Sequence, residues 1–500
     1  MKTIKRSIAL VLAMILTLAM SVTVLAAPNA DQNTFSLILN KAVEGHTYEA
    51  YQILSGDLSA DKTTLSNIKW GEGINAKGQT ALGGDADGYA KTLAEKGNNS
   101  SWLKEQAQII GANLESASGS VTVTDSDAKN VIGNLKPGYY LIKDKDDSIQ
   151  GQDSYTEFIL HVTDDVEANV KAAVPSVEKK VKDTNDTTGE TTGWQDSADY
   201  DVRDVVPFQL TATLPANLQS YKSYYLKFDD TLSPGLDFNE ESVTVKYGDK
   251  DVKSFFKINY DEASKKLTLT CDNILAKGFE AKNGEKIIVE YNATLNEHAV
   301  MGSAGNPNTV KLEFSNNPNN GGEGDKGETP PDIVIVFTYK VVINKIDENG
   351  KALDGAKFTL YKKIKDKNGN LEDKEIKAVI SGDKNNVFTF NRLDDGDYVL
   401  KETEAPDGYN KADDIEFTIK ADHSIEPDTL ELKSLSGDKV TGEIVLQPNK
   451  DDGSLSKDVP NTKGIVLPST GGAGRVAIYV IGAILVVGGG IVLVTKKRVK

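Results

Sequence analysis

Lys345, Glu402 and Asn461 lie far apart in this chain, yet together they have the chemistry to join two side chains covalently. A neutral lysine is a nucleophile, a protonated carboxyl group can polarise an amide carbonyl, and an asparagine amide attacked by the amine expels ammonia and leaves an amide crosslink. Burial is required, because removal from water raises the pKa of a carboxylic acid and lowers that of an ammonium until both are neutral near pH 7. Proximity is required as well, and a fold that holds the reactants together supplies it.

Strand parity points all three residues inward. Tyr339, Val341 and Ile343 share one face of a strand, and Lys345 follows in the same phase; Tyr398 and Leu400 lead to Glu402, and Val459 leads to Asn461. Unpaired burial of such groups costs several kcal/mol, so their placement among apolar side chains implies a use. The same reading of Val177, Lys179, Val181, then Leu226, Phe228, Asp230, then Val310, Leu312, Phe314, Asn316 selects Lys179, Asp230 and Asn316 as a second trio, with Lys180 and Asp229 out of phase.

An internal repeat extends the argument. Leu37-Ile38-Leu39-Asn40-Lys41 parallels Val341-Val342-Ile343-Asn344-Lys345, and Leu135 to Asp144 parallels Leu393 to Glu402. The copy proposes Lys41, Asp144 and Asn169 as a third trio, against the alternative that the charged run Lys143 to Asp147 is a solvated turn.

The elements that must position these residues read as strands. Alternating segments such as Phe158 to Val162, Lys266 to Thr270 and Ile287 to Tyr291 are separated by Gly, Asn and Asp clusters, the pattern of an all-β sandwich protein. Helical periodicity is confined to a small excursion in the first domain, 86–96 and 101–115. Composition breaks at Ala172 to Ser176 and at the Asn-, Gly- and Pro-rich stretch Asn316 to Pro331 divide the chain into domains at 27–172, 173–331 and 332–466.

Both ends carry export signals. Lys2, Lys5 and Arg6 precede an apolar run ending in Val24-Leu25-Ala26-Ala27, a secretory leader over 1–26. Leu467-Pro468-Ser469-Thr470-Gly471 precedes an uncharged stretch, 476–494, and a tail containing Lys496, Lys497, Arg498 and Lys500; such a stretch is long enough to be a transient transmembrane span. The whole chain has 57 Lys+Arg against 74 Asp+Glu, a net charge of −17, and loss of the two ends removes eight cations and no acids, leaving about −25. Nucleic acid is a poor partner for such a chain. The single cysteine, Cys271, excludes internal disulfides, and the four histidines have no metal-ligand spacing, so no metal or cofactor is expected. The Asp347-Glu348-Asn349-Gly350 and Asp366-Lys367-Asn368-Gly369 segments read as turns.

The pentapeptide, apolar span and basic tail, in that order, resemble the cell-wall sorting signal of sortase substrates. In that family a transpeptidase cysteine attacks the carbonyl of the residue matching Thr470, releases the part from Gly471 onward, and passes the acyl group to an amine. The segments around Lys345, Leu353-Asp354-Gly355-Ala356-Lys357-Phe358 and Tyr398 to Tyr409, with its glutamate-containing box, resemble the Cna B-type domains of Gram-positive pilins. That resemblance implies tandem immunoglobulin-like sandwiches and a spontaneous Lys345–Asn461 isopeptide bond promoted by Glu402.

The context of Lys179 resembles the middle domains of pilus shaft subunits, which places the acceptor amine for polymerisation at Lys171, although the family's Tyr-Pro-Lys form is absent here. The reading implies a structural polymer subunit and not a turnover enzyme. Its expected partners are a pilus-type sortase, identical subunits head to tail, accessory pilins and peptidoglycan, with host matrix or glycans as possible ligands. A monomeric wall-anchored adhesin and an accessory pilin are the alternative readings.

Overall fold

The computed structural model describes residues 34–464, apart from residues 61, 97–99, 149–152, 171–172, 319–320, 323, 367, 378, 381–384, 426–429 and 440–443, together with 479–488 and 491. The leader, Lys171, the Leu467 to Gly471 pentapeptide and residues 476–478, 489–490 and 492–494 of the apolar stretch lie outside the described residues. The described part of the apolar tail is helical and exposed, and no described helix is long and apolar enough to cross a membrane.

Alternation in sequence becomes alternation in burial. The strand Tyr339–Asp347 buries Tyr339, Val341, Ile343 and Lys345 while the residues between them stay partly exposed. Lys286–Leu295 does the same over ten residues, because a side-chain period of two commits one whole face to the core. Of the described residues, 51% are in strands and 11% in helices.

In the first domain Phe35–Asn40 lies between Asn130–Leu135, antiparallel, and Val166–Asn169, parallel. A second sheet is built on Thr47–Leu58 and Gly138–Asp144. The helices Ala76–Ala81, Ala86–Lys96 and Ser100–Gly111 cover its outer side, packing Tyr89, Leu93 and Ile110 onto Ile53, Leu54 and Leu141. Asn75 caps the first of these helices, its side chain accepting from the Gly78 amide.

The middle domain packs two sheets. One has the order Lys250–Asp251, Leu236–Tyr247, Lys286–Leu295, Val205–Thr213, Ser176–Val181; the other centres on Leu226–Leu232 and Asn306–Ser315. Between them lies an aromatic-rich core that includes Phe208, Phe228, Tyr291 and Phe314. The stretch Asn316 to Pro331, read from composition as an interdomain connection, instead leads back into this sheet. Lys326–Glu328 and Asp332–Phe337 both pair with Asn306–Ser315, so the strand after the expected 331/332 boundary still belongs to the middle sheet, while Phe337 at its end packs into the C-terminal core. Pro and Gly content marked a loop correctly but could not show that the chain returns to the same sheet.

The C-terminal domain is a ten-stranded sheet wrapped around one core of Val341, Ile343, Leu360, Phe390, Leu400, Phe417 and Leu455. Its first strand, Tyr339–Asp347, and its last, Ser454–Asn461, are parallel neighbours in the register Lys345 to Val459 and Asp347 to Asn461.

Candidate isopeptide sites

The parallel pairing of first and last strands sets the C-terminal site. Lys345 and Asn461 lie two register positions apart on adjacent strands, and Glu402 enters from Gly396–Glu404 across the core. All three are at most 1% exposed. Both carboxylate oxygens of Glu402 accept from Asn461 Nδ2, at 2.9 and 3.1 Å, and Oε2 also accepts from the Ala412 amide at 2.6 Å. Lys345 Nζ donates to the carbonyls of Ile346 at 2.9 Å and Val459 at 2.8 Å. Burial holds its pKa below the ordinary lysine value, against the opposing pull of Glu402 and Asp347.

Asn461 Oδ1 is buried without a partner. Half a turn of the carboxamide would place Oδ1 on Glu402, and a protonated Glu402 would then donate to it, polarising the carbonyl for attack by a neutral Lys345. The arrangement has the parts of a one-time amide-forming site.

In the middle domain Lys179 and Asp230 are fully buried and meet at 2.5 Å. Tyr291, on Lys286–Leu295, completes the cluster. Its hydroxyl lies 3.2 Å from Lys179 Nζ, donates to Asp230 Oδ2 at 2.6 Å and accepts from Asn308 Nδ2 at 2.8 Å. Asn308 is fully buried and its Oδ1 has no partner.

Asn316 is therefore not the residue brought to this pair. Leu226–Leu232 runs antiparallel to Asn306–Ser315, with Asp230 opposite Val310, Leu232 opposite Asn308 and Leu226 opposite Phe314, so Asn316 lies beyond the far end. Its carboxamide instead donates to the Asp153 carbonyl of the first domain at 3.4 Å. Asn308 and Asn316 share strand parity, and parity alone cannot choose between the two ends of a strand. Tyr291 was missed because an aromatic in an alternating strand reads as core; only the register reveals its hydroxyl beside Asp230.

Burial pushes the Lys179 ammonium down from 10.5 to about 8, with Asp230 opposing. Between those values the unfolded chain binds a proton that the folded chain does not, so stability rises with pH across that window. In Asn308→Ala, which leaves the amine free, the urea midpoint of the middle domain should rise from pH 8 to pH 10 relative to a Lys179→Met/Asn308→Ala control. A flat or falling difference would show that the buried amine is not the titrating group.

The first domain does not assemble the trio expected from the repeat. Its parallel first and last strands match the C-terminal arrangement, with Asn40 opposite Asn169. The first strand ends at Asn40, however, and Lys41 turns into solvent at φ 57°, while Asn169 is only half-buried. Asp144 is fully buried but is taken by His46 Nδ1 at 2.8 Å and by the Thr156 amide. The repeat assumed one more strand residue than the chain provides here. Cys271 is buried, and burial pushes its thiol up to about 11.

Comparison with known proteins agrees with this architecture. Residues 202–318 match the Gram-positive pilin backbone subunit 2, Cna-B-like domain; residues 339–431 match a prealbumin-like fold domain of the SpaA type; and 459–500 match the LPXTG cell wall anchor motif. The trypsin-resistant surface T6 protein of Streptococcus pyogenes serotype M6 is 25% identical over 389 residues, spanning 66% of this chain and 70% of that protein. The fimbrial subunit type 1 of Actinomyces viscosus is 27% identical over 254 residues, 44% of each chain. The solved T6 backbone pilin of S. pyogenes, described as a modular three-domain structure, shares the fold with a TM-score of 0.55 at 19% identity, covering 87% of this chain and all of that one. With these domains in sequence ahead of the anchor motif, the chain is a backbone pilin of Gram-positive pili, carried on a surface pilus anchored to the cell wall.

Proposed function

We propose that the chain is the shaft-forming subunit of a covalent pilus, and that two internal isopeptide bonds, Lys345–Asn461 and Lys179–Asn308, fasten its middle and C-terminal domains. Glu402 and Asp230 are the promoting acids. The observation that carries this reading is the buried Lys345, Glu402 and Asn461 cluster between the first and last strands of one domain. A bond there ties a domain's two ends together, so tension along the fibre need not unzip its sheets. The fold has no disulfide to do this, since Cys271 is the sole cysteine.

A pilus-type sortase would join Thr470 of one subunit to Lys171 of the next, and finally to peptidoglycan. Linked this way, subunits stack head to tail, a heterologous contact that does not close and so forms a fibre. Load would enter at Lys171 and leave at Thr470, crossing the middle and C-terminal domains and bypassing the first, the domain whose expected crosslink lysine, Lys41, turns into solvent away from the buried Asp144. The role is structural, since each bond forms once. Accessory pilins at the ends and contact with host matrix or glycans complete the expected setting in colonisation. Intact mass and cell-wall laddering test the two halves of this reading.

A further inference from the structure

The joint between the middle and C-terminal domains gathers two groups of acids that no motif announces. One, Asp186, Asp201, Asp204 and Asp394, surrounds the fully buried Lys362, whose ammonium contacts Asp394 directly, Asp201 at 3.0 Å and Asp186 at 3.2 Å. That group already has its cation. The other consists of Asp183, Asp199 and His423, whose ligand atoms lie within 4.8 Å of one another. Asp183 follows the strand Ser176–Val181, Asp199 ends Ser197–Asp199, and His423 ends Ile415–His423 of the other domain.

Two observations distinguish this second group from an ordinary acidic cluster. Asp199 is 2% exposed and its Oδ2 has no well-formed hydrogen bond, its one polar neighbour of that kind being the Tyr339 hydroxyl, which is itself without a well-formed bond and interacts with the Asp199 carboxyl. The His423 tautomer is also fixed from outside. Ser197 Oγ donates to the Ser424 carbonyl and so can only accept at its 2.7 Å contact with His423 Nδ1, which must carry the proton. That leaves Nε2 as the ring atom facing Asp183 Oδ2, 3.5 Å away, a gap that either a proton on Nε2 or a metal ion bridges. A hydrogen bond on the far ring nitrogen is also the usual way a histidine ligand is oriented.

We propose that Asp183, Asp199 and His423 form a site for a divalent transition metal, zinc being the best fit, that staples the middle domain to the C-terminal domain. One imidazole and two carboxylates are a donor set that zinc accepts at roughly 2.0–2.2 Å, with a fourth position left for water or for the neighbouring Asp395. The ligands come from both domains, so the ion would resist bending at the joint, where no covalent tie is placed by the isopeptide sites.

The test is zinc uptake by the purified, chelator-stripped protein, titrated with ZnCl2 in a calorimeter at pH 7.5. One equivalent should bind, and His423→Gln and Asp199→Asn should each weaken it at least tenfold. His298→Gln and His161→Gln, at exposed histidines elsewhere, should leave it unchanged. Should either core variant fail to fold by circular dichroism, Asp183→Asn, at a more accessible ligand, decides. The absence of stoichiometric uptake by the wild type would overturn the proposal, as would equal affinity in a folded variant; in that case His423 is an imidazolium paired with Asp183.

Discussion

Lys345→Ala should destabilise the C-terminal domain by about 4–5 kcal/mol, the chain-entropy value for a tie that closes a loop of more than a hundred residues. For a domain of this size that corresponds to a fall in melting temperature of roughly 15–25 °C. The cause lies in the unfolded state, because the crosslinked chain has far fewer conformations to gain on unfolding. Loss of the buried amine from the Ile346 and Val459 carbonyls adds to the effect. The domain transition should separate in calorimetry from that of the middle domain, and trypsin should cut the mutant in the C-terminal domain while sparing the wild type. Equal melting and equal protease resistance would mean that Lys345 carries no bond.

Lys171→Arg should abolish polymerisation while leaving the fold intact. A guanidinium is effectively never deprotonated, so the substitution keeps the charge and removes the usable amine. Cell-wall extracts heated in detergent should lose the high-mass ladder and retain wall-linked monomer, since the Leu467 to Gly471 pentapeptide is untouched. The effect is all or none, unlike the graded stability changes above. A normal ladder would show that another lysine, with Lys179, Lys180 and Lys182 nearby in sequence, accepts the acyl group, and sequencing of the branched peptide would name it. Wall-linked monomer in the wild type as well would favour the monomeric adhesin reading.

Much of the site was legible because strand parity is a strict rule wherever one face is buried. Lys345, Glu402, Asn461, Lys179 and Asp230 follow apolar residues in phase, and each lies in the core. What parity cannot encode is register, the sliding position of one strand against the next. That is why Asn308 and Asn316, both in phase on one strand and the turn beyond it, could not be separated until Asp230 was found opposite Val310. Nor does parity show where a strand stops. The repeat carried Lys41 inward by analogy with Lys345, but the first domain's strand ends one residue before it, and a left-handed turn faces it outward.

The domain joint was the least legible part. Asp183, Asp199, Lys362, Asp394 and His423 are scattered over two domains, and their convergence depends on how the strand Asp332–Phe337 completes the middle sheet before the C-terminal sandwich begins. Nothing local in the sequence marks that step. The all-β class, by contrast, follows from periodicity, and the helix Ala86–Lys96 begins and ends where its apolar spacing does, whereas Ser100–Gly111 stops four residues short of the expected end and the six-residue helix Ala76–Ala81, too short to show a period, is not among the expected ones.

The most direct test of the account is the intact mass of the folded protein expressed without any sortase. The account requires a deficit equal to two ammonia molecules, one for Lys345–Asn461 and one for Lys179–Asn308. Glu402→Ala should restore the first and Asp230→Ala the second, each independently, while Asn316→Ala should leave the deficit unchanged. A wild-type mass equal to the sum of its residues would contradict the account outright.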